Sequence, residues 1–310
     1  MSFTEHWLQG PQATNFYTRT YTPSADAPQA TAVVIYVHGF AEHIGRYAHF
    51  HPKLAERGVV VFTFDQRGFG KTALDKEGHK SPDSAYGKTS WTDQVADIAW
   101  AIDHVKEKYP ALPLFLVGHS MGGGEVLGFA TQPTTSPHHA KVFLLSGVIA
   151  TSPLIHMTKP TPKLMRAIGG FLSKLVPYAS FPADVDSSAI SHDPKVVEEY
   201  NKDPMVIGRG TLRGLDDMLS LGEKLLKASY SNWPEELPVL FCHGTADQVT
   251  SFPASQEFHD KISVKSKRIV PFQDQYHELQ NETGDVPDRL VNEIVTFIGE
   301  QSASLPKAKM

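Results

Sequence analysis

Cysteine is nearly absent from the 310-residue sequence, which contains only Cys242. A single cysteine cannot form an intramolecular disulfide, and such a low content is typical of proteins in a reducing compartment. Cys242 lies in the apolar run PVLFCHG. We therefore expect a core residue at this position rather than a nucleophile.

The sequence also lacks an excess of positive charge. Its formal net charge is −5 at pH 7, and without a global basic field nucleic acid is not expected as a partner. The 15 histidines are scattered along the chain, and the adjacent pair His138-His139 has no third ligand at the spacing of a zinc site. We predict neither a metal site nor a cofactor.

Long hydrophobic runs are missing as well, since no window approaches the roughly 20 apolar residues of a membrane span. The N-terminal stretch MSFTEHWLQGPQATNFY lacks the cationic and apolar segments of a secretory signal. We therefore expect a soluble, cytoplasmic protein. The final residues Ala308-Lys309-Met310 are a conservative variant of the peroxisomal address S-K-L, and a frayed terminus is the alternative interpretation.

Short runs rich in Val, Ile, Leu and Phe recur along the chain: TAVVIYVHG, VVVFTFDQRG, LPLFLVGHS, KVFLLSGVIA, LPVLFCHG and SKRIVPF. They are continuous rather than alternating, as is typical of parallel strands buried on both faces. Amphipathic helical patterns lie between them, such as SWTDQVADIAWAIDHVKEKY and RLVNEIVTFIGEQ. The alternation predicts an α/β fold with a mostly parallel, doubly wound sheet.

One long segment interrupts this alternation. Between Thr151 and about Trp233 there is no strand-like run, only helical patterns such as LRGLDDMLSLGEKLLKA and proline-punctuated polar stretches. We predict an α/β core formed by residues 1–150 and 234–310, and a helical cap formed by residues 151–233. Such an insertion is expected over the carboxyl ends of the strands, where ligands bind.

The segment Gly118-His119-Ser120-Met121-Gly122 matches G-x-S-x-G. The motif needs a strand before it and a helix after it, and LFLV and GEVLGFA supply both patterns. This context favours a nucleophile elbow with Ser120 as the nucleophile. The alternative is an ordinary glycine-rich turn between a strand and a helix.

A serine hydroxyl needs a base and an orienting acid, which in this fold class follow in the order Ser, acid, His. Asp247 follows the buried run LPVLFCHG, and His277 follows the last predicted strand. Asp274 is a rival acid only three residues before His277, whereas His259 lies in the helical pattern EFHDKI. We predict Ser120 as nucleophile, Asp247 as acid and His277 as general base.

The developing oxyanion also needs donors. The backbone N–H of Met121, the residue after the nucleophile, should be one of them, and the loop after an early strand should supply the other. The stretch HGF after TAVVIYV points to the N–H of Phe40.

Five features of the sequence together resemble the monoacylglycerol lipase family of α/β-hydrolases, of the fungal type: HGFAEHIGRY at 38–47, DQRGFG at 65–70, GHSMGG at 118–123, HGTAD at 243–247 and the late His277. The resemblance spans nearly the whole chain, and HGxxEHxGRY is its most specific part. It implies an α/β-hydrolase fold with a helical lid and the same triad and oxyanion hole. It also implies cleavage of monoacylglycerols to fatty acid and glycerol.

The resemblance further implies that Glu42 and Arg46 help to form the polar end that receives glycerol. A carboxylate and a guanidinium can hydrogen-bond the two free hydroxyls of a monoacylglycerol. A salt bridge that merely ties down the loop is the alternative.

Two positions depart from the family. Gln280 stands where some relatives carry a second histidine near the glycerol end, and Thr250 stands where mammalian relatives carry a reactive cysteine. The contacts at the glycerol end are therefore open, and sensitivity to thiol reagents is not carried over.

The first helix of the predicted lid carries one apolar stripe, with positive charge nearby from Lys163, Arg166 and Lys174. The stripe consists of Leu164, Ile168, Phe171, Leu172, Leu175 and Val176. A core-facing helix would show the same stripe. In an enzyme with a lipid substrate, an exposed stripe of this kind docks at a membrane or lipid-droplet surface, or covers the acyl tunnel, and the two roles are compatible.

Two other functions remain as alternatives to monoacylglycerol hydrolysis. A carboxylesterase or lysophospholipase of broader specificity would use the same triad. A hydrolase fold reused as a binding protein would usually show a defective triad or elbow, and none is visible. Ser120 at the elbow also argues against epoxide hydrolases and dehalogenases, which are expected to carry aspartate there.

Overall fold

The computed structural model describes residues 3–25 and 27–304. The tripeptide Ala308-Lys309-Met310 lies outside the described residues, so the peroxisomal address stays a prediction. Among the helices described here, none is long and apolar enough to cross a membrane.

The described residues form ten strands: β1 Phe3–Gln9, β2 Asn15–Tyr21, β3 Ala32–Val37, β4 Val59–Phe64, β5 Leu114–His119, β6 Gly147–Thr151, β7 Ser180–Pro182, β8 Arg209–Thr211, β9 Val239–Gly244 and β10 Lys267–Phe272. Eight of them make one sheet in the order β1-β2-β4-β3-β5-β6-β9-β10, and β7 pairs with β8 separately. Strand β2 is antiparallel to both of its neighbours. The pairs from β4 to β10 are parallel, which confirms the predicted mostly parallel sheet.

The α-helices of the described residues are α1 His51–Ala55, α2 Gly70–Leu74, α3 Trp91–Lys108, α4 Met121–Ala130, α5 His139–Val142, α6 Lys163–Leu175, α7 Pro194–Lys202, α8 Leu212–Lys227, α9 Phe252–Lys261 and α10 Val286–Ser304. They cover both faces of the sheet. On β3, for example, Val33 and Ile35 belong to a cluster with α3 and α4, whereas Val34 and Tyr36 belong to a second cluster with α1 and α10. This double covering explains why the parallel strands are continuously apolar.

The structure differs from the predicted elements at the N-terminal edge and before β6. The hairpin of β1 and β2 was not predicted, because β1 (FTEHWLQ) is a partly exposed edge strand without a continuous apolar run. In KVFLLSGVIA only Gly147–Thr151 forms a strand. The preceding residues close the short helix α5 and leave Phe143 and Leu144 exposed.

The segment between β6 and β9 carries α6, α7, α8 and the β7–β8 pair. The sequence predicted helices but no strand here, since three-residue strands are too short to show a periodicity. It also gave no signal for α7, which begins at Pro194. Helix α8 contributes Leu221, Leu225 and Leu226 to the main core, so this end of the insertion is anchored to the α/β core. The predicted boundaries 151–233 remain a prediction.

The turn between β5 and α4 places Ser120 in a strained conformation. Ser120 has φ +55° and ψ −118°, a region that residues with a side chain rarely adopt. The flanking backbone is packed so closely that a Cβ added to Gly118 would lie 2.2 Å from the Gly122 carbonyl oxygen. The glycines therefore allow the sharp turn that lifts Ser120 out of the sheet.

We expect Gly122→Ala to lower the melting temperature. An added Cβ at Gly122 would lie 2.3 Å from the carbonyl oxygen of Val37, and overpacking of this kind costs about 1–3 kcal/mol. Gly299→Ala in α10 is the matched control, because nothing lies within 4 Å of its added Cβ and alanine favours a helix. Thermal unfolding measures both. A Gly122→Ala protein as stable as the wild type would contradict this packing.

Candidate active site

Ser120, His277 and Asp247 meet at the carboxyl ends of the parallel strands. Ser120 follows β5, Asp247 follows β9 and His277 follows β10. The Ser120 Oγ lies 2.9 Å from His277 Nε2, and His277 Nδ1 lies 2.8 Å from Asp247 Oδ2. The arrangement is that of a nucleophile, a base and an orienting acid.

The Asp247 carboxylate is buried, and both of its oxygens accept hydrogen bonds. Its Oδ1 accepts the amide hydrogens of Val249 and Thr250, and its Oδ2 accepts the Thr250 hydroxyl at 2.8 Å. Burial alone would raise its pKa, but the charge of His277 and hydrogen bonds from His243 and His277 hold the pKa well below its usual range. An ionised Asp247 only accepts, so His277 Nδ1 carries the proton and Nε2 accepts the Ser120 hydroxyl.

His277 is hydrogen-bonded to this carboxylate. Burial by itself would lower the pKa of His277, but the neighbouring charge of Asp247 and its hydrogen bond outweigh burial and raise the pKa. His119 lies beside it, with ring centroids 4.8 Å apart. Burial and the nearby His277 lower the pKa of His119 to about 4, so His119 adds no second charge to the site at neutral pH.

The rival residues considered from the sequence do not join this group. Asp274 is exposed, and its carboxylate accepts a hydrogen bond from its neighbour Gln273. His259 lies on α9 and pairs with Asp260.

The loop after β3 brings the Phe40 amide to the same place as Met121. Within residues 3–25 and 27–304, neither of these two N–H groups donates to another protein group. The Gly39 amide donates to Glu42 at 2.5 Å, and a Cβ added to Gly39 would lie 3.1 Å from the Ser120 Cβ. The loop thus approaches the serine closely and leaves two amides free to bind an oxyanion.

Glu42 and Arg46 lie at the polar end of the site, joined by a third residue that the sequence did not single out. Arg46 Nη1 lies 3.1 Å from Glu42 Oε2. Arg46 also forms a bidentate salt bridge with Glu278, in which Nη1 lies 2.7 Å from Oε1 and Nη2 lies 2.8 Å from Oε2. Burial would raise the pKa of Glu278, but the Arg46 charge lowers it. Glu278 was missed because its partner lies 232 residues away. Its place directly after His277 was the only available signal.

A small cavity extends from Glu42 and Arg46 to Ser120. The core residues that line it include Gly39, Phe40, Glu42, Arg46, Ser120 and His277, and the cap contributes Val185, Ile190 and Tyr200. The Arg46 guanidinium carbon lies 4.8 Å from the centre of the Tyr200 ring. The cap therefore covers the polar end.

The two positions that depart from the family have different environments. Gln280 is buried, and neither side-chain amide atom has a hydrogen-bond partner in the described part of the chain. Thr250 instead bonds Asp247 through its hydroxyl. Cys242 is buried in β9, and burial raises the pKa of its thiol, as expected of an unreactive core residue.

Asp75, Glu77 and His79 offer metal-ligand atoms within 4.8 Å of one another. Asp75 accepts the amide hydrogens of Glu77 and His79, so the fold of this partly exposed loop already accounts for the grouping. It lies outside the site.

Comparisons with known proteins identify the family and the fold. A family model described as serine aminopeptidase S33 matches residues 28–284. The Schizosaccharomyces pombe protein named "Putative monoglyceride lipase" is 34% identical over 93% of this chain and 72% of its own. A structure of a soluble variant of monoglyceride lipase from Saccharomyces cerevisiae has a TM-score of 0.84 at 24% identity, covering 97% of this chain and 95% of that one. The monoacylglycerol lipase of Paleococcus ferrophilus has a TM-score of 0.76 at 27% identity, covering 92% and 99%. The predicted hydrolase fold is confirmed.

We expect Asp247→Asn to lower kcat by about 10³–10⁴-fold, because an amide neither fixes the tautomer of His277 nor stabilises its charged form. Protonated His277 cannot act as a base, so activity is lost as pH falls through its pKa. That pKa is raised by Asp247, so the acidic limb of kcat/KM should lie above the ordinary value of about 6.5 and move to lower pH in the variant.

The matched control is Asp274→Asn, an exposed carboxylate three residues from His277. Its φ of +59° is one that asparagine tolerates. Equal losses of kcat in both variants would contradict the assignment of Asp247.

Proposed function

The chain belongs to the serine aminopeptidase S33 family and, within it, to the monoglyceride lipases, and on that premise we propose that it cleaves monoacylglycerols to a fatty acid and glycerol. The observation that carries the proposal is the hydrogen-bonded series Ser120–His277–Asp247 beside a polar, cap-covered cavity. The reaction passes through an acyl-enzyme on Ser120.

In the first half of the reaction the Ser120 Oγ attacks the ester carbonyl while His277 Nε2 takes its proton. The N–H groups of Phe40 and Met121 stabilise the oxyanion of the tetrahedral intermediate. His277 then returns the proton to the leaving glycerol oxygen as the carbon–oxygen bond breaks. In the second half His277 takes a proton from water, whose oxygen attacks the acyl carbonyl carbon. His277 then returns the proton to Ser120 Oγ as the bond between Ser120 and the acyl group breaks and the fatty acid leaves.

Glu42 and Arg46 hold the glycerol end in this proposal. Arg46 donates three hydrogen bonds to Glu42 and Glu278, out of five N–H groups that a guanidinium carries. Glu42 accepts the Gly39 amide hydrogen, the Tyr47 hydroxyl and one Arg46 N–H, so one of its four lone pairs and two N–H groups of Arg46 are left for the two hydroxyls. A substrate without those hydroxyls leaves these groups unpaired, which penalises its binding.

We also propose that α6 contacts a membrane or lipid-droplet surface. The polar face of α6 is turned inward, where Arg166 and Ser173 hydrogen-bond Asp216 on α8. Its apolar face is exposed, with Leu164 at 72%, Phe171 at 63% and Leu175 at 63% of their accessible area. Such a surface, next to Lys163 and Lys174, suits an interface that delivers a lipid substrate.

The function is tested with wild type and Ser120→Ala on two substrates of equal acyl length, a monoacylglycerol and a methyl ester. We expect wild type to have the higher kcat/KM on the monoacylglycerol. Ser120→Ala should no longer be labelled by a fluorophosphonate probe. Its kcat on both substrates should fall by at least about 10⁴-fold.

The same experiment distinguishes a monoacylglycerol lipase from a carboxylesterase of broader specificity. That alternative has support of its own, because three of the five N–H groups of Arg46 already bond Glu42 and Glu278 without a substrate. Equal kcat/KM on the two esters would contradict the proposed role of Glu42 and Arg46 in binding glycerol. Probe labelling that is retained in Ser120→Ala would contradict the assignment of Ser120 as the nucleophile.

The surface contact is tested with the triple variant Leu164→Ser, Phe171→Ser and Leu175→Ser. We expect its partitioning onto anionic vesicles to fall at least about tenfold, since each exposed side chain loses apolar area. Hydrolysis of a water-soluble short-chain ester should be unchanged.

The control is Phe143→Ser with Leu144→Ser, which removes exposed apolar area from another part of the surface. Vesicle binding that survives in the α6 variant, or falls equally in the control, would contradict this proposal.

A further inference from the structure

The turn Tyr276-His277-Glu278, which carries the proposed base, is held from both sides by the cap. The Glu278 amide donates to the carbonyl oxygen of Ile190 at 2.8 Å. On the other side of His277, the ring of Tyr276 stacks on that of His192, with centroids 3.7 Å apart and planes at 25°. Cap residues therefore contact both neighbours of His277 in sequence.

Glu282 joins these two segments. Its side chain is fully buried, and its Oε1 accepts the Tyr276 amide hydrogen at 2.8 Å. The same carboxylate accepts the backbone N–H of His192 at 3.1 Å and lies 3.0 Å from His192 Nδ1. One buried carboxylate thus receives donors from the cap and from the residue that precedes His277.

Hydrogen bonds of the neighbouring Ser191 also hold the cap segment against the segment that carries Glu282. The Ser191 hydroxyl donates to the Asn281 carbonyl oxygen at 2.7 Å and accepts the Asp193 amide hydrogen. His192 itself is partly exposed and lies over Glu282. Removing its ring leaves the buried carboxylate with backbone donors only and removes the stack on Tyr276, and the loss of a donor to a buried charge is costly.

The same cap segment also reaches the loop of the proposed oxyanion hole. Helix α7 follows His192 and ends at Lys202. Beyond it, Asp203 Oδ2 lies 2.8 Å from His43 Nε2. The segment 190–203 therefore connects the loop of His277 to the loop of Phe40. By contrast, α6 is joined to α8 through Arg166 and Ser173.

We propose that His192 is a positioning residue, which holds the Tyr276-His277-Glu278 turn in register with Ser120 through Glu282 and the stack on Tyr276. The proposal rests on the proposed function, because it assigns His277 the role of base. The cap then has two parts with different tasks. The segment from Ile190 to Asp203 fixes the two catalytic loops, and α6 presents the apolar surface.

The test compares wild type, His192→Ala and His192→Arg. Arginine restores a planar group that stacks on Tyr276 and donates to a carboxylate. The readouts are the rate of Ser120 labelling by a fluorophosphonate probe, and kcat and KM on a water-soluble ester. Labelling needs the base but not a lipid substrate, and a protein that is only less stable still labels normally well below its melting temperature.

We expect His192→Ala to slow labelling and lower kcat about 10- to 100-fold, as for misplaced catalytic groups, with KM changed by less than about twofold. His192→Arg should recover most of the rate. The matched control is His79→Ala, which removes another histidine that stacks on an aromatic ring, Trp7, and pairs with a carboxylate, Asp75. This control should label at the wild-type rate.

Labelling of His192→Ala at the wild-type rate would overturn the proposal, and so would an arginine variant as slow as the alanine variant, or a control that is equally slow. If His192→Ala does not fold, His192→Phe, which keeps the stack but not the donor, is compared with His192→Arg by the same criteria. A wild type that labels normally but does not prefer monoacylglycerols refutes the proposed substrate, while the labelling rates still decide the role of His192.

Discussion

The hydrogen bond between the buried carboxylate of Asp247 and His277 is the interaction on which the rest of the site depends. A carboxylate without water around it is costly unless donors surround it. Here the donors come from its own loop, at Val249 and Thr250, and from His277. This arrangement fixes the tautomer of His277, raises its pKa and turns Nε2 toward Ser120. The strained turn at Ser120 then places its hydroxyl within hydrogen-bond distance of His277 Nε2.

Parallel strands account for the convergence of residues far apart in the sequence. Strands β5, β9 and β10 end at one edge of the sheet, and β3 contributes the Phe40 loop at the same edge. Arg46 binds these parts together, since it pairs with Glu42 on the Phe40 loop and with Glu278 beside His277. The ion pairs, the amides of Phe40 and Met121 and the Ser120–His277–Asp247 series therefore lie together beneath the cap.

Much of this arrangement could be predicted from the sequence, because it depends on strand ends. Continuous apolar runs locate the buried parallel strands, and the order serine, acid, histidine after such runs points to Ser120, Asp247 and His277. The β1–β2 hairpin has no such run, and Glu278 shows no pattern because its partner Arg46 is remote. The direction faced by α6 could not be predicted, since an apolar stripe looks the same whether buried or exposed. The structure distinguishes the two cases by the inward bonds of Arg166 and Ser173 and by the exposure of the stripe itself.

The central claim is that the chain acts through an acyl-enzyme on Ser120. The most direct measurement is intact-mass spectrometry of protein quenched milliseconds after mixing with a monoacylglycerol, followed by peptide mapping. We expect a mass increase that corresponds to replacement of the Ser120 hydroxyl hydrogen by the acyl group, located on the peptide that contains Ser120 and absent in the presence of excess fluorophosphonate. Turnover without any acyl adduct, or an adduct on another residue such as Cys242, would contradict it.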